Sequence, residues 1–134
     1  MEIPAPVYET MLRHTRAAAP LEGCGLLAAG GDGVVTAAYC LTNTDASPSS
    51  YTLDPSEHVR ALYDAERRGW RLAAVFHSHP GALPIPSAAD VAGALEPEWV
   101  HVIIGSDRSG GEVVRGYRIV DGEVGEEPIV VRAA

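Results

Sequence analysis

The sequence predicts a single α/β domain over residues 1–134, built on a mixed central β-sheet flanked by helices. Three observations carry that expectation. Helical and strand patterns alternate early in the chain, and strands dominate after Val100. Leu72-Ala73-Ala74-Val75-Phe76 is apolar without interruption, as in a central strand covered on both faces. With 134 residues, 46% of them hydrophobic, the chain is close to the usual size of one domain and can bury one core unaided. No internal repeat, charge block or low-complexity linker divides it.

The elements follow in order. Pro6 suits the start of a helix in which Val7, Met11, Leu12, Thr15 and Ala18 recur at helical spacing, and Pro20 ends it. Cys24–Ala29 and Val34–Tyr39 read as strands joined through the turn Gly30-Gly31-Asp32-Gly33. A polar loop from Thr42 to Ser50 leads to a short strand near Tyr51-Thr52-Leu53. Asp54-Pro55-Ser56-Glu57 then supplies a cap, a first-turn proline and a capping-box glutamate for a helix from Pro55 to Arg68, closed by Gly69. After the apolar run, three prolines stiffen the loop Pro80–Pro86. Ser87 opens a short helix that Pro97 must stop. Val100–Gly105 and Val113–Val120 read as strands around a turn at Asp107–Gly111, Asp121-Gly122 as a hairpin turn, and Ile129–Val131 as the last strand.

Composition narrows the partners. Eighteen acidic residues against ten basic ones give a net charge of −8, which repels phosphate backbones and argues against nucleic acid or an anionic membrane surface as partner. All ten basic residues are Arg; Lys and Gln are absent, a bias consistent with a GC-rich coding background. No stretch approaches the roughly 20 apolar residues of a membrane span. Met1–Pro6 lacks a basic start and an apolar run, and two cysteines without CxxC spacing make no disulfide framework, so a cytoplasmic setting is expected. Cys24 and Cys40 read as small buried hydrophobes, with Cys24 on the same strand face as Glu22. His14 and His58 fall on the expected helices and read as exposed; His101 reads as a strand residue.

The chemistry concentrates around His77-Ser78-His79-Pro80, Ser87 and Asp90. On a strand, residues i and i+2 share a face, so His77 and His79 can offer two imidazoles to one cation. Asp90, in the first turn of the following helix, can supply a third ligand. Two His and one carboxylate leave a fourth tetrahedral position for water, the pattern of a catalytic zinc site rather than a structural one. Plainer readings stand beside this one. Ser87-Ala88-Ala89-Asp90 is also a helix-start signal, and Glu22 alone would be a loop carboxylate in solvent. The joint spacing of His, His, Ser and Asp has a chance expectation on the order of one in a few thousand at this composition.

His77-x-His79-Pro80, Ser87, Asp90 and the upstream Pro20-Leu21-Glu22-Gly23-Cys24-Gly25 together resemble the JAMM (MPN+) zinc metalloproteases. The resemblance implies a cytidine-deaminase-like MPN fold and one zinc per chain held by His77, His79 and Asp90. It implies Glu22 as general acid/base and Ser87 as hydrogen-bond donor to the oxyanion. The deaminase signature P-C-x-x-C is missing. The residue types agree with these roles: a partly desolvated Glu22 can take a proton from water and give it to a leaving amine, and Ser87 would act on charge present only in the transition state.

Relatives in this family cut after the C-terminal Gly-Gly of ubiquitin or a ubiquitin-like sulfur-carrier protein. Thr42-Asn43, Ser47-Pro48, Tyr51-x-Leu53-Asp54 and Tyr117–Gly122 with Glu126-Glu127-Pro128 resemble a bacterial subgroup that releases cysteine from a sulfur-carrier tail. The stretch from Tyr117 also reads simply as a hairpin with an obligatory turn. The expected activity is therefore cleavage of a carrier–cysteine adduct. Alternatives are an isopeptidase acting on lysine conjugates and a non-catalytic scaffold module of the same fold. The oligomeric state, homodimer included, stays open.

Overall fold

The computed structural model describes residues 1–133. In chain order they form β1 (Glu2–Pro4), α1 (Ala5–Ala18), β2 (Cys24–Ala29), β3 (Val35–Leu41), α2 (Pro55–Arg67), β4 (Arg71–Ser78), α3 (Ala88–Ala92), β5 (Val100–Ser106), β6 (Glu112–Val120), β7 (Glu123–Glu127) and β8 (Val130–Arg132). Six strands make one sheet in the order β3-β2-β4-β5-β6-β7. β4 and β5 pair in parallel and the other neighbours antiparallel, so the sheet is mixed, as expected. A parallel pair needs a crossover, and the segment carrying α3 supplies it. That crossover leaves the sheet at the carboxyl end of β4, where His77 and His79 lie.

The apolar run behaves as its pattern demands. Ala74 and Phe76 of β4 face α1, packing with Ile3, Met11, Leu12, Leu27 and Val102. Val75 points the other way, into a cluster with Leu26, Leu41 and Ala61 of α2. A register shift at Ala73 turns Leu72 onto the α2 side as well, where it packs beside Val75. The result is a sheet with a helix layer on each face, and the site residues project from the α2 face.

Several boundaries differ from expectation for identifiable reasons. The stretch at Tyr51–Leu53 is not a strand; only an isolated bridge joins Leu53 to Asn43. Asp54 caps α2 through Ser56 N and Glu57 N (3.0 and 3.1 Å), but Glu57 does not close a capping box. Its carboxylate instead accepts from the Thr42 amide (2.7 Å) and hydroxyl (3.0 Å), tying α2 to the exit of β3. α3 ends at Gly93, well before Pro97. Strand β1 has no counterpart in the sequence reading, and β7 enters it only as the return arm of the hairpin through Asp121-Gly122. β1 is too short to show a pattern and pairs with β8 from the far end of the chain, burying Ile3 completely. β7 carries three glutamates and lacks apolar alternation; its pairing comes from the Asp121-Gly122 turn, with φ of 51° and 78°, the geometry of a tight two-residue hairpin. No helix among the described residues is long and apolar enough to cross a membrane.

Candidate metal centre

His77 is fully buried at the end of β4, with the Tyr51 ring stacked on its imidazole at 4.4 Å between centroids. His79 lies just past the strand, its amide donating to Ile104 O at 2.8 Å. Its Nδ1 is 3.1 Å from the Leu83 carbonyl, which can only accept, so Nδ1 carries the proton and Nε2 presents a lone pair. The loop bearing Leu83 is pinned on β5 and β6. Ser106 N donates to Ala82 O at 2.7 Å, and the Tyr117 hydroxyl donates to Pro84 O. Gly105 permits this approach, since a Cβ there would lie 2.5 Å from Ala82 O and 2.7 Å from Pro84 N.

The same loop delivers Ser87 and Asp90. Ser87 Oγ accepts from Asp90 N (3.0 Å), and Asp90 Oδ2 accepts from Ser87 N (2.9 Å), a complete capping box. The helix-start reading is realised, and that same Oδ2 lies 3.3 Å from His77 Nε2 and 3.1 Å from His79 Nε2. The two Nε2 atoms are 3.0 Å apart.

Glu22 enters from the loop before β2 and is buried, its Oε1 without a hydrogen-bond partner among the described residues. Ser47 O accepts from its amide (2.9 Å), and Asn43 Nδ2 donates to its carbonyl (3.0 Å). The adjacent Gly23 amide donates to Ser78 Oγ at 2.9 Å. Its carboxylate and the two imidazoles lie within 4.8 Å of one another.

Two donor sets thus share the imidazoles, one completed by Asp90 and one by Glu22. Bonds of roughly 2.0–2.1 Å to a tetrahedral zinc put donor atoms about 3.3–3.4 Å apart; the Asp90 set spans 3.0–3.3 Å and the Glu22 set lies within 4.8 Å. Two imidazole Nε2 atoms and a carboxylate oxygen converging within 3.0–3.3 Å are donors of the kind a divalent metal takes, so the residues fit such an ion.

Electrostatics separate the two carboxyls. Burial pushes Glu22 up to about 7, partly opposed by His79 and reinforced by Asp90. Asp90 is also desolvated, yet the two adjoining imidazoles and the Ser87 amide hold it well below the usual carboxylate range. Burial lowers His77 and keeps it neutral, as a ligand must be. The arrangement sets one ionised carboxylate and a neutral His77 beside His79, which burial lowers but Asp90 and the Leu83 carbonyl raise on balance, and one carboxyl, Glu22, raised to about 7.

Three residues singled out in the subgroup resemblance, without any role assigned, support this site: Tyr51 backs His77, while Asn43 and Ser47 hold the Glu22 backbone, contacts that no local pattern specifies. His14 is not exposed but half-buried, its ring nitrogen 3.0 Å from both Cys24 O and Leu41 O, joining α1 to β2 and β3. His58 is likewise half-buried, its ring 5.9 Å from that of Trp99. His101 is a buried strand residue, as expected. Of the two cysteines, Cys24 is buried but Cys40 is exposed. Cys24 sits beside His77 on β2, yet its Sγ turns toward Leu41 O (3.9 Å), and burial pushes the thiol up to about 12.

A family model described as prokaryotic homologs of the JAB domain matches residues 4–120. The chain belongs to this prokaryotic JAB family. It is 35% identical over 133 residues to a CysO-cysteine peptidase of Mycobacterium tuberculosis, covering 96% of this chain and 89% of the relative. It is 37% identical over 113 residues to a desampylase of Haloferax volcanii, covering 80% and 81%. A probable TtuB-protein conjugate cleaving protease of Thermus thermophilus is 34% identical over 124 residues, covering 90% and 77%. The solution structure of a Desulfitobacterium hafniense protein superposes with a TM-score of 0.89 at 34% identity, over 100% of this chain and 94% of that one. The resemblance drawn from the Glu22-to-Asp90 segment therefore extends along most of the JAB domain, and the chain is a hydrolase of the JAMM type.

Proposed function

We propose that this protein is a zinc metallopeptidase that hydrolyses the amide bond after the C-terminal Gly-Gly of a ubiquitin-like sulfur-carrier protein, releasing cysteine from a carrier–cysteine adduct. The observation that carries the chemistry is the convergence of His77, His79 and Asp90 within 3.0–3.3 Å, beside an unpartnered Glu22 carboxyl raised to about 7. The names of the relatives support the substrate class, and the likeness to the cysteine-releasing relative over 96% of the chain supports the leaving group.

In this reading His77, His79 and Asp90 hold the zinc. When bound, zinc polarises the scissile carbonyl and lowers the pKa of an attacking water toward ~7. Glu22 takes the water's proton and hands it to the departing amine nitrogen; the burial that raises its carboxyl opposes the pull of the cation and keeps that proton transferable. Ser87 Oγ accepts from the Asp90 amide, leaving its hydroxyl proton free to donate to the oxyanion of the tetrahedral intermediate. The capping box thus sets a ligand and an oxyanion donor with one pair of hydrogen bonds.

A second reading keeps this chemistry and takes as leaving group a lysine side chain of a conjugated protein, which the names of the desampylase and the conjugate-cleaving relative favour. Incubating zinc-loaded protein with a carrier–cysteine adduct and with a carrier–lysine conjugate decides between them by mass spectrometry. Release of free cysteine at the higher kcat/KM is expected. Cleavage of the conjugate alone would replace the first reading with the second, and cleavage of neither would remove both.

A further inference from the structure

Beside Asp90 the fold leaves a cavity of about 460 Å³, lined by Tyr51, Leu53, Val75, Leu95, Trp99 and His101. We propose that it is the pocket for the side chain preceding the Gly-Gly tail of the substrate, that it selects a large apolar residue there, and that His101 is a specificity-determining residue. This rests on the peptidase reading above.

The side of the site is fixed by topology. Glu22 stands at the foot of β2 and does not line the cavity, whereas His101 belongs to β5, on the opposite flank of β4. The leaving amine receives its proton from Glu22 and so departs on the β2 side. The acyl chain then runs the other way, past Asp90, which belongs to both the metal centre and the cavity wall. Two extended glycines cover about 7 Å, so the first side chain to reach the cavity belongs to the residue ahead of them.

Size and charge specify what fits. The volume lies in the range of ligand pockets, about 300–1,000 Å³, far more than glycine needs. Asp90 and Glu96 are in the lining and no arginine is among the described lining residues, so an acidic side chain is refused. Leu95, 83% exposed at the rim, is an apolar side chain left uncovered by the fold itself. His101 is only 5% exposed, and its Nε2 is buried without a partner among the described residues. Buried polar atoms are ordinarily paired. A small turn of the His101 ring toward the cavity, on whose wall it lies, lets an occupant's peptide group, or a water ordered by it, supply that partner.

The test uses peptides acetyl-Xaa-Gly-Gly with Xaa as Leu, Phe, Ala or Asp, titrated into chelator-treated protein and followed by amide chemical shifts. Carrier tails with the same four residues are assayed for turnover by the zinc-loaded protein. Leu and Phe should exceed Ala by roughly ten- to thirty-fold, the effect of burying one large side chain, with Asp weakest. Ala94→Phe, which fills the cavity from its wall, should erase the preference. His101→Leu should weaken the Leu peptide, and His101→Gln should restore it; melting curves check that each variant is folded. Equal binding of the four peptides, or a preference that survives Ala94→Phe, would overturn the assignment. Binding is read without zinc, so selective binding with no cleavage of any tail would sink the peptidase reading while upholding the pocket.

Discussion

Replacing Glu22 by Gln in chelator-treated protein isolates the electrostatic cost of burying this carboxyl. Its carboxyl is raised from 4.5 to about 7, which makes ionisation within the fold cost about 3 kcal/mol. Because the folded-state value lies above the unfolded one, the folded protein holds the extra proton between the two. Stability is therefore fully present below about pH 4.5, lost as pH rises toward 7, and level above that. Glutamine does not titrate. Glu22→Gln should match the parent near pH 4.5 and exceed it by about 3 kcal/mol at pH 8, roughly 10 °C in Tm for a chain of this length. Urea titrations at pH 4.5, 6, 7 and 8 measure this, and groups titrating alike in both proteins cancel in the difference. Adding zinc should shrink the gap, since a nearby cation favours the carboxylate. A difference flat across pH would refute the burial argument for Glu22, and with it the reason for expecting a proton shuttle at neutral pH.

Other consequences are as direct. Asp90→Ala should lower zinc from one per chain toward none, read by elemental analysis alongside circular dichroism; retained zinc would remove Asp90 from the ligand set. Ser87→Ala should cost about 1 kcal/mol through the lost cap. It should also lower kcat about 100-fold with KM little changed, and a change confined to KM would contradict the oxyanion role. Asn43→Ala frees the Glu22 carbonyl and should reduce turnover with zinc content intact; undiminished kcat would show that the loop needs no such tether. Gly105→Ala places a Cβ against Ala82 and Pro84 and should destabilise the fold by about 1–3 kcal/mol, seen as a lowered urea midpoint.

Legibility followed the range of the interactions involved. Helix α2 and strand β4 were readable because a cap, a proline and an uninterrupted apolar run are local signals. Strand β1 was not, because its partner β8 lies at the other end of the chain and three residues show no period. Glu57 shows the same limit from another side. Its sequence position suits a capping box, but Thr42 at the end of β3 competes for its carboxylate and wins.

By itself the sequence determined the fold class and which residue types gather at the candidate metal centre. Strand alternation places His77 and His79 on one face, and S-x-x-D sets Ser87 and Asp90 at a helix start, both being rules of local backbone geometry. Only the tertiary structure decided that Asp90 Oδ2 comes within 3.1–3.3 Å of both imidazoles while the Glu22 carboxyl is buried beside them. It alone shows that Tyr51 stacks on His77, that Asn43 and Ser47 hold the Glu22 backbone, and that His101 borders an empty space. The reason is physical: separations of 3.0–3.3 Å and the burial that lifts Glu22 to about 7 arise where β2, β4 and the α3 crossover meet, and no local pattern encodes that meeting.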